Sequence, residues 1–88
     1  MTPRRLSIVD GPDKPALQRS LAHSGVNDVH FRVEGDAFDA DIQRMDEEAD
    51  GFTFKLLGRL TSGRDRGASF HGVYSIESRS GWLELGDK

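Results

Sequence analysis

Apolar and polar side chains alternate in three consecutive runs between Phe52 and Leu85. In residues 52–60, Phe52, Phe54, Leu56 and Leu60 fall on one side of a period-two pattern, and Thr53, Lys55 and Arg59 on the other. Successive strand side chains point to opposite faces, so this spacing predicts a half-buried strand. Residues 68–76 repeat it, with Ala68, Phe70, Gly72, Tyr74 and Ile76 against Ser69, His71, Val73 and Ser75. Residues 82–85 are shorter, with Leu83 and Leu85 against Trp82 and Glu84. The connectors carry Gly63 and Gly67 in one case, and end at Gly81 in the other, glycines suited to positive φ. Connectors this short predict an antiparallel meander. Gly58 and Gly72 stand on the apolar side of their strands. The ordinary reading is a sheet that coils there, as a small barrel requires, or an aromatic ring over the gap; the other is a ligand notch.

Upstream, residues 6–9 form a short strand candidate, ended by Asp10-Gly11-Pro12. Asp13 can cap a helix from Lys14 to about Ser24, with Pro15 tolerated in its first turn. Leu17 and Leu21, four apart, share a face, with Ala16 and Ala22 nearby. Gly25 suits the residue after the helix end, with Val26 folding back on the last turn. The narrow apolar stripe predicts a helix lying on the sheet with its outer face wet.

Val29, Phe31 and Val33 alternate with His30, Arg32 and Glu34, and Gly35-Asp36 suits a mirror-image hairpin turn. Residues 37–49 fit two patterns. Phe38, Ala40 and Ile42 alternate as in a strand, while Phe38, Ile42, Met45 and Ala49 have helical spacing. A helix would gather Asp46, Glu47, Glu48 and Asp50 at its negative pole, so a strand over 37–44 followed by an acidic loop is preferred.

The pattern as a whole predicts an α+β domain. One short N-terminal helix packs on a curved, mainly antiparallel five- or six-stranded sheet that approaches barrel closure. Parallel pairing of 6–9 with 29–34 stays open, because the connection is long enough for a crossover. Residues 1–5 and 86–88 read as frayed ends.

Eighty-eight residues fit one core, with a net stability of about 5 kcal/mol for this size. There is no cysteine, which excludes disulfides and thiolate metal sites and agrees with a cytoplasmic location. No apolar run near Met1 is long enough to predict a signal peptide or a membrane span. The net charge of −3 is uneven: residues 1–35 carry +1, residues 36–51 carry −6 and residues 52–88 carry +2.

Three constellations carry chemistry. In the acidic segment, Asp39, Asp41, Gln43, Glu47 and Asp50 fall at calcium-loop positions, but Arg44 stands where that loop needs glycine. A solvated acidic face that attracts a basic partner is the better reading, with Asp46, Glu47 and Glu48 as contacts. The loop at 61–67 sets Arg64 and Arg66 between glycines, with Arg59 and His71 on the flanking strands. These four suit a phosphate or nucleic acid, although Asp65 sits between the arginines and the loop lacks a P-loop ending. Leu57, Val73 and Trp82 all point away from the main apolar face. They are either a second small core under the helix or residues 6–9, or an interface anchored by Trp82. His23, His30 and His71 show no nucleophile or zinc spacing, so the sequence names no reaction and no cofactor.

The reading that results is a non-catalytic interaction module. It binds a protein, or a second copy of itself, through Asp46, Glu47, Glu48, Leu57, Val73 and Trp82. Phosphate or nucleic-acid binding through Arg59, Arg64, Arg66 and His71 is the alternative. A small-molecule carrier or small enzyme with its ligand near Gly58 and Gly72 is the third reading.

Overall fold

Each alternating run becomes a strand. The computed structural model describes residues 4–23 and 28–86. They form β1 (Arg4–Asp10), α1 (Lys14–Ala22), β2 (Val29–Val33), β3 (Asp36–Glu47), β4 (Thr53–Leu60), β5 (Ser69–Ser75) and β6 (Ser80–Leu85). Neighbours in sequence are neighbours in space, and β1 also pairs with β6, so the sheet closes into a barrel. Every pairing is antiparallel. The open question of parallel pairing across the helix is thereby settled: Ile8 lies opposite Val33 with β1 and β2 running against each other. The N-terminal strand starts at Arg4, two residues before the predicted segment, because Arg4 and Arg5 pair with Leu85 and Glu84. Residues 1–3 and 87–88 lie outside the described residues.

The side chains at 54, 56, 60, 70, 74, 83 and 85 are buried together with Ile8, Phe31, Phe38 and Ile42. The Phe31 ring meets the Tyr74 ring edge-on at 5.6 Å, a favourable geometry for two aromatic quadrupoles. A barrel this small forces its inward positions close together. Gly58 lies opposite Phe70, and Gly72 opposite Leu83. A methyl group at 58 would collide with the Asp41 carbonyl oxygen and the Phe70 ring; one at 72 would collide with the Trp82 carbonyl oxygen and Leu83. At Gly58 an aromatic ring, Phe70, fills the space, as the ordinary reading has it; at Gly72 Leu83 and the Trp82 backbone fill it instead.

The segment from Ala37 is strand and not helix, as preferred, but β3 runs on past Arg44 to Glu47, through three residues read as loop. The extension is held by β4, with Asp46 opposite Lys55 and Glu47 opposite Phe54. Asp50 then organises the turn. Its carboxylate accepts the Thr53 hydroxyl at 2.7 Å and the Phe52 and Thr53 amides at 3.0 and 2.8 Å. The Thr53 hydroxyl is the first cause holding the Asp50 carboxyl below its ordinary value, with the backbone amides adding to it. The β2–β3 turn is Glu34-Gly35, one residue earlier than predicted, since Asp36 pairs with Val33. Of these two, Gly35 alone has a positive φ, so the turn is not of the mirror-image type. Between β5 and β6 the positive φ falls on Arg79, not on Gly81, which is a strand residue.

Asp13 caps α1 by accepting the Ala16 amide at 3.0 Å. The helix ends at Ala22; Gly25 and Val26 lie outside the described residues. Leu17 is fully buried, but Leu21 is exposed, and the fully buried neighbour is Ser20. Pairing of β2 with β3 stops at Val29 opposite Ala40. Just beyond it, the Ile42 amide donates to Ser20 Oγ at 3.0 Å. The helix thus covers the stretch of β3 that β2 does not reach, and a hydroxyl is needed there where sequence spacing called for leucine. Lys14 pairs with Glu47 at 2.8 Å, and the Tyr74 hydroxyl donates to the Pro12 carbonyl at 2.7 Å. These contacts seat α1 across one end of the barrel. No helix among the described residues is long and apolar enough to cross a membrane.

Two measurements check this packing. Gly58→Ala lowers stability by about 3 kcal/mol in a urea titration, because backbone as well as a ring occupies the new methyl's place. For Tyr74, burial pushes the hydroxyl up to about 12 from 10.0. The native state then holds this proton more tightly than the unfolded chain. The stabilisation is complete below pH 10 and is lost as pH rises towards 12. Tyr74→Phe, about 1 kcal/mol less stable at neutral pH, closes that gap with the wild type across this window.

Candidate binding groove on the outer face

The register of five strands composes the outer face opposite the core. One row runs Arg44, Leu57, His71, Glu84 and Arg5 across β3, β4, β5, β6 and β1. The next runs Asp46, Lys55, Val73, Trp82 and Ser7. Leu57, Val73 and Trp82 are thus brought together as predicted. They line a groove of about 380 Å³, edged by Arg44, Asp46, Lys55 and His71. The reading in which α1 or β1 closes over them as a second core is corrected. The helix packs against β3 and β2, and β1 is a strand of the barrel beside β6. Leu57 stays 43% exposed, and Val73 and Trp82 are half-buried.

Trp82 is held in place. The Arg5 guanidinium stacks over its ring at 4.3 Å and reaches Glu84 at 3.2 Å. His71 lies 3.7 Å from the other Glu84 oxygen, with its ring edge-on to Trp82 at 6.2 Å. Such exposed pairs add little stability, but they fix ring orientation. Arg5 is a member of this site that the sequence reading missed. Its signal was present as alternation in residues 4–10, but nothing local showed that this strand would lie beside β6.

The acidic residues do not act as one free cluster. Asp46 stands on the groove edge, paired with Arg44 at 3.1 Å. Glu47 turns to Lys14, and Glu48 lies 3.5 Å from Lys55. The calcium-spaced positions do not converge either: Asp39 pairs with His30 and Ser62, Glu47 with Lys14, and Asp50 with its own turn.

The four residues of the phosphate reading are dispersed. Arg59 and His71 are outward positions on β4 and β5, with Arg59 opposite Ser69, two residues from His71. Arg64 opens instead onto a recess at the barrel end away from α1, and Arg66 lies in the turn that closes on the Gly63 carbonyl. Inside the barrel, Phe70 and Leu83 occupy the space beside Gly58 and Gly72, where the carrier reading set its ligand.

No known protein family, curated protein or solved structure matches this chain.

Trp82 is the single tryptophan of the chain, so its emission reports on this groove. Arg5→Ala uncovers one face of the ring, shifts the emission to the red and raises quenching by acrylamide. An unchanged spectrum would contradict the stacked arrangement.

Proposed function

We propose that the protein is a non-catalytic binding module that docks another protein on the outer face of β4, β5 and β6. The observation that carries this reading is the convergence of Leu57, Val73 and Trp82 in a groove that no element among the described residues covers. A contiguous apolar patch with charge at its edge is the usual composition of a docking site, and a tryptophan at its centre is a frequent anchor. Recognition here works through side chains. β4, β5 and β6, which bear Leu57, Val73 and Trp82, are each paired on both sides and leave no free edge there for a partner strand to extend the sheet.

The edge contains both signs, with Arg44 and Lys55 near Asp46. A partner that inserts an apolar side chain between complementary charges suits it better than one of a single sign. Asp46 is the member of the acidic segment that takes part directly. Glu47 and Glu48 act at a distance, through the field of the acidic stretch. A cytoplasmic location belongs to the same proposal, supported by a chain without cysteine.

The test is affinity capture with the intact protein, identification of the captured protein, and a Kd for the purified pair. Trp82→Ala and Leu57→Ser should each weaken that Kd at least about tenfold, or 1.4 kcal/mol, with unchanged melting curves. Equal binding by wild type and both variants would sink the proposal. Sedimentation of the protein alone separates a different partner from a second copy.

A further inference from the structure

Among the described residues, none plugs the barrel end opposite α1. It holds a recess of about 270 Å³ between the β2–β3 turn, the β4–β5 loop and the start of β1. At roughly 30 Å³ per water this is room for about nine waters, the size of a single small metabolite. Its deepest part is apolar, made by the half-buried Leu6 and the buried Val33, Phe38 and Leu60, while most of the accessible wall is polar. Phe38 is fixed from below by the Phe31 ring at 5.7 Å.

The rim is charged and differs from the floor in kind. Arg4 and Asp65 neutralise each other at 2.9 Å. That leaves Arg64 on the β4–β5 loop and Glu34 and Asp36 at the β2–β3 turn. Among the described residues these three enter no ion pair. Asp36 accepts the Ala37 amide at 2.8 Å, which orients its carboxylate without neutralising it. The loop bearing Arg64 is anchored on β3. Ser62 Oγ accepts the Asp39 amide at 2.8 Å and donates to Asp39 Oδ2 at 3.2 Å, and the Thr61 amide donates to the Asp39 carbonyl at 2.8 Å. Gly63 lies flat against Phe38, where an added methyl would come within 3.2 Å of its Cβ. The backbone that carries Arg64 and the Asp36 carboxylate are therefore ordered before a ligand arrives.

We propose that this recess binds a small zwitterion of the amino-acid type with an apolar side chain. The carboxylate faces Arg64, the ammonium faces Glu34 and Asp36, and the side chain rests on the apolar floor. A ligand with one charge would leave the opposite rim charge unmatched, and a phosphate dianion would meet two carboxylates. Because the free rim charges are one positive and two negative, loss of the ligand's ammonium should cost more than loss of its carboxylate.

Calorimetric titration of the intact protein with three probes tests the order: L-leucine, isopentylamine and 4-methylpentanoate. Leucine should bind at least about tenfold tighter than the amine, and the acid weakest. Arg64→Ala should bring leucine down to the level of the amine, and Glu34→Gln with Asp36→Asn to the level of the acid. All three positions are exposed, so these variants should keep the wild-type melting curve. Trp82→Ala should bind leucine as the wild type does, which separates this site from the outer groove. No heat from any probe, equal affinity for all three, or leucine binding unaffected by the rim substitutions would overturn the proposal.

Discussion

The narrowness of the closed sheet governs the rest of this structure. Six strands enclose a narrow interior, and two of its inward positions carry no side chain. Gly58 faces Phe70, and Gly72 faces Leu83. At both places the neighbouring strand's backbone passes through the space a β-carbon would need. The two glycines allow β4 and β5 to coil tightly enough for β6 to reach β1. Closure in turn pairs β4, β5 and β6 on both sides over most of their length, and gives every strand two neighbours, which a flat sheet of this size would not achieve.

The two barrel ends are finished differently. One is sealed by α1, which inserts Leu17 into the core and supplies Ser20 to the Ile42 amide. Pro12 and Lys14 bind it to Tyr74 and Glu47. Among the described residues, the other end has no helix. Its turn and loop leave a recess with an apolar floor and a rim of both charges. The asymmetry follows from where the long β1–β2 connection lies. It is the connection that carries a helix, and it leaves the barrel at the end of β1.

The outer face is a product of register. Leu57, Val73 and Trp82 lie 16 and 9 positions apart in the chain, and each alone is an unremarkable outward apolar residue. Pairing of Lys55 with Val73 and of Val73 with Trp82 makes them neighbours. A shift of one residue in either ladder would send one set of these side chains into the core and the other outward. The same register sets Arg5 beside Glu84 and hence over Trp82.

Local periodicity determined a great deal here. The faces of β2, β4, β5 and β6, the Asp13 cap and the presence of glycine at two inward positions were legible because each depends on residues a few places apart. So was the outward direction of Leu57, Val73 and Trp82. Tertiary structure decided what depends on partners far along the chain. The acidic segment remained strand to Glu47 because β4 was there to pair with it. Ser20 was buried in place of Leu21 because β2 ends early and an amide of β3 needed an acceptor. The helix covered a barrel end and not the outer face, and Arg64 parted from His71, for a similar reason. Alternation tells a side chain which side of its own strand it takes, whereas the neighbour it finds there depends on how the sheet closes.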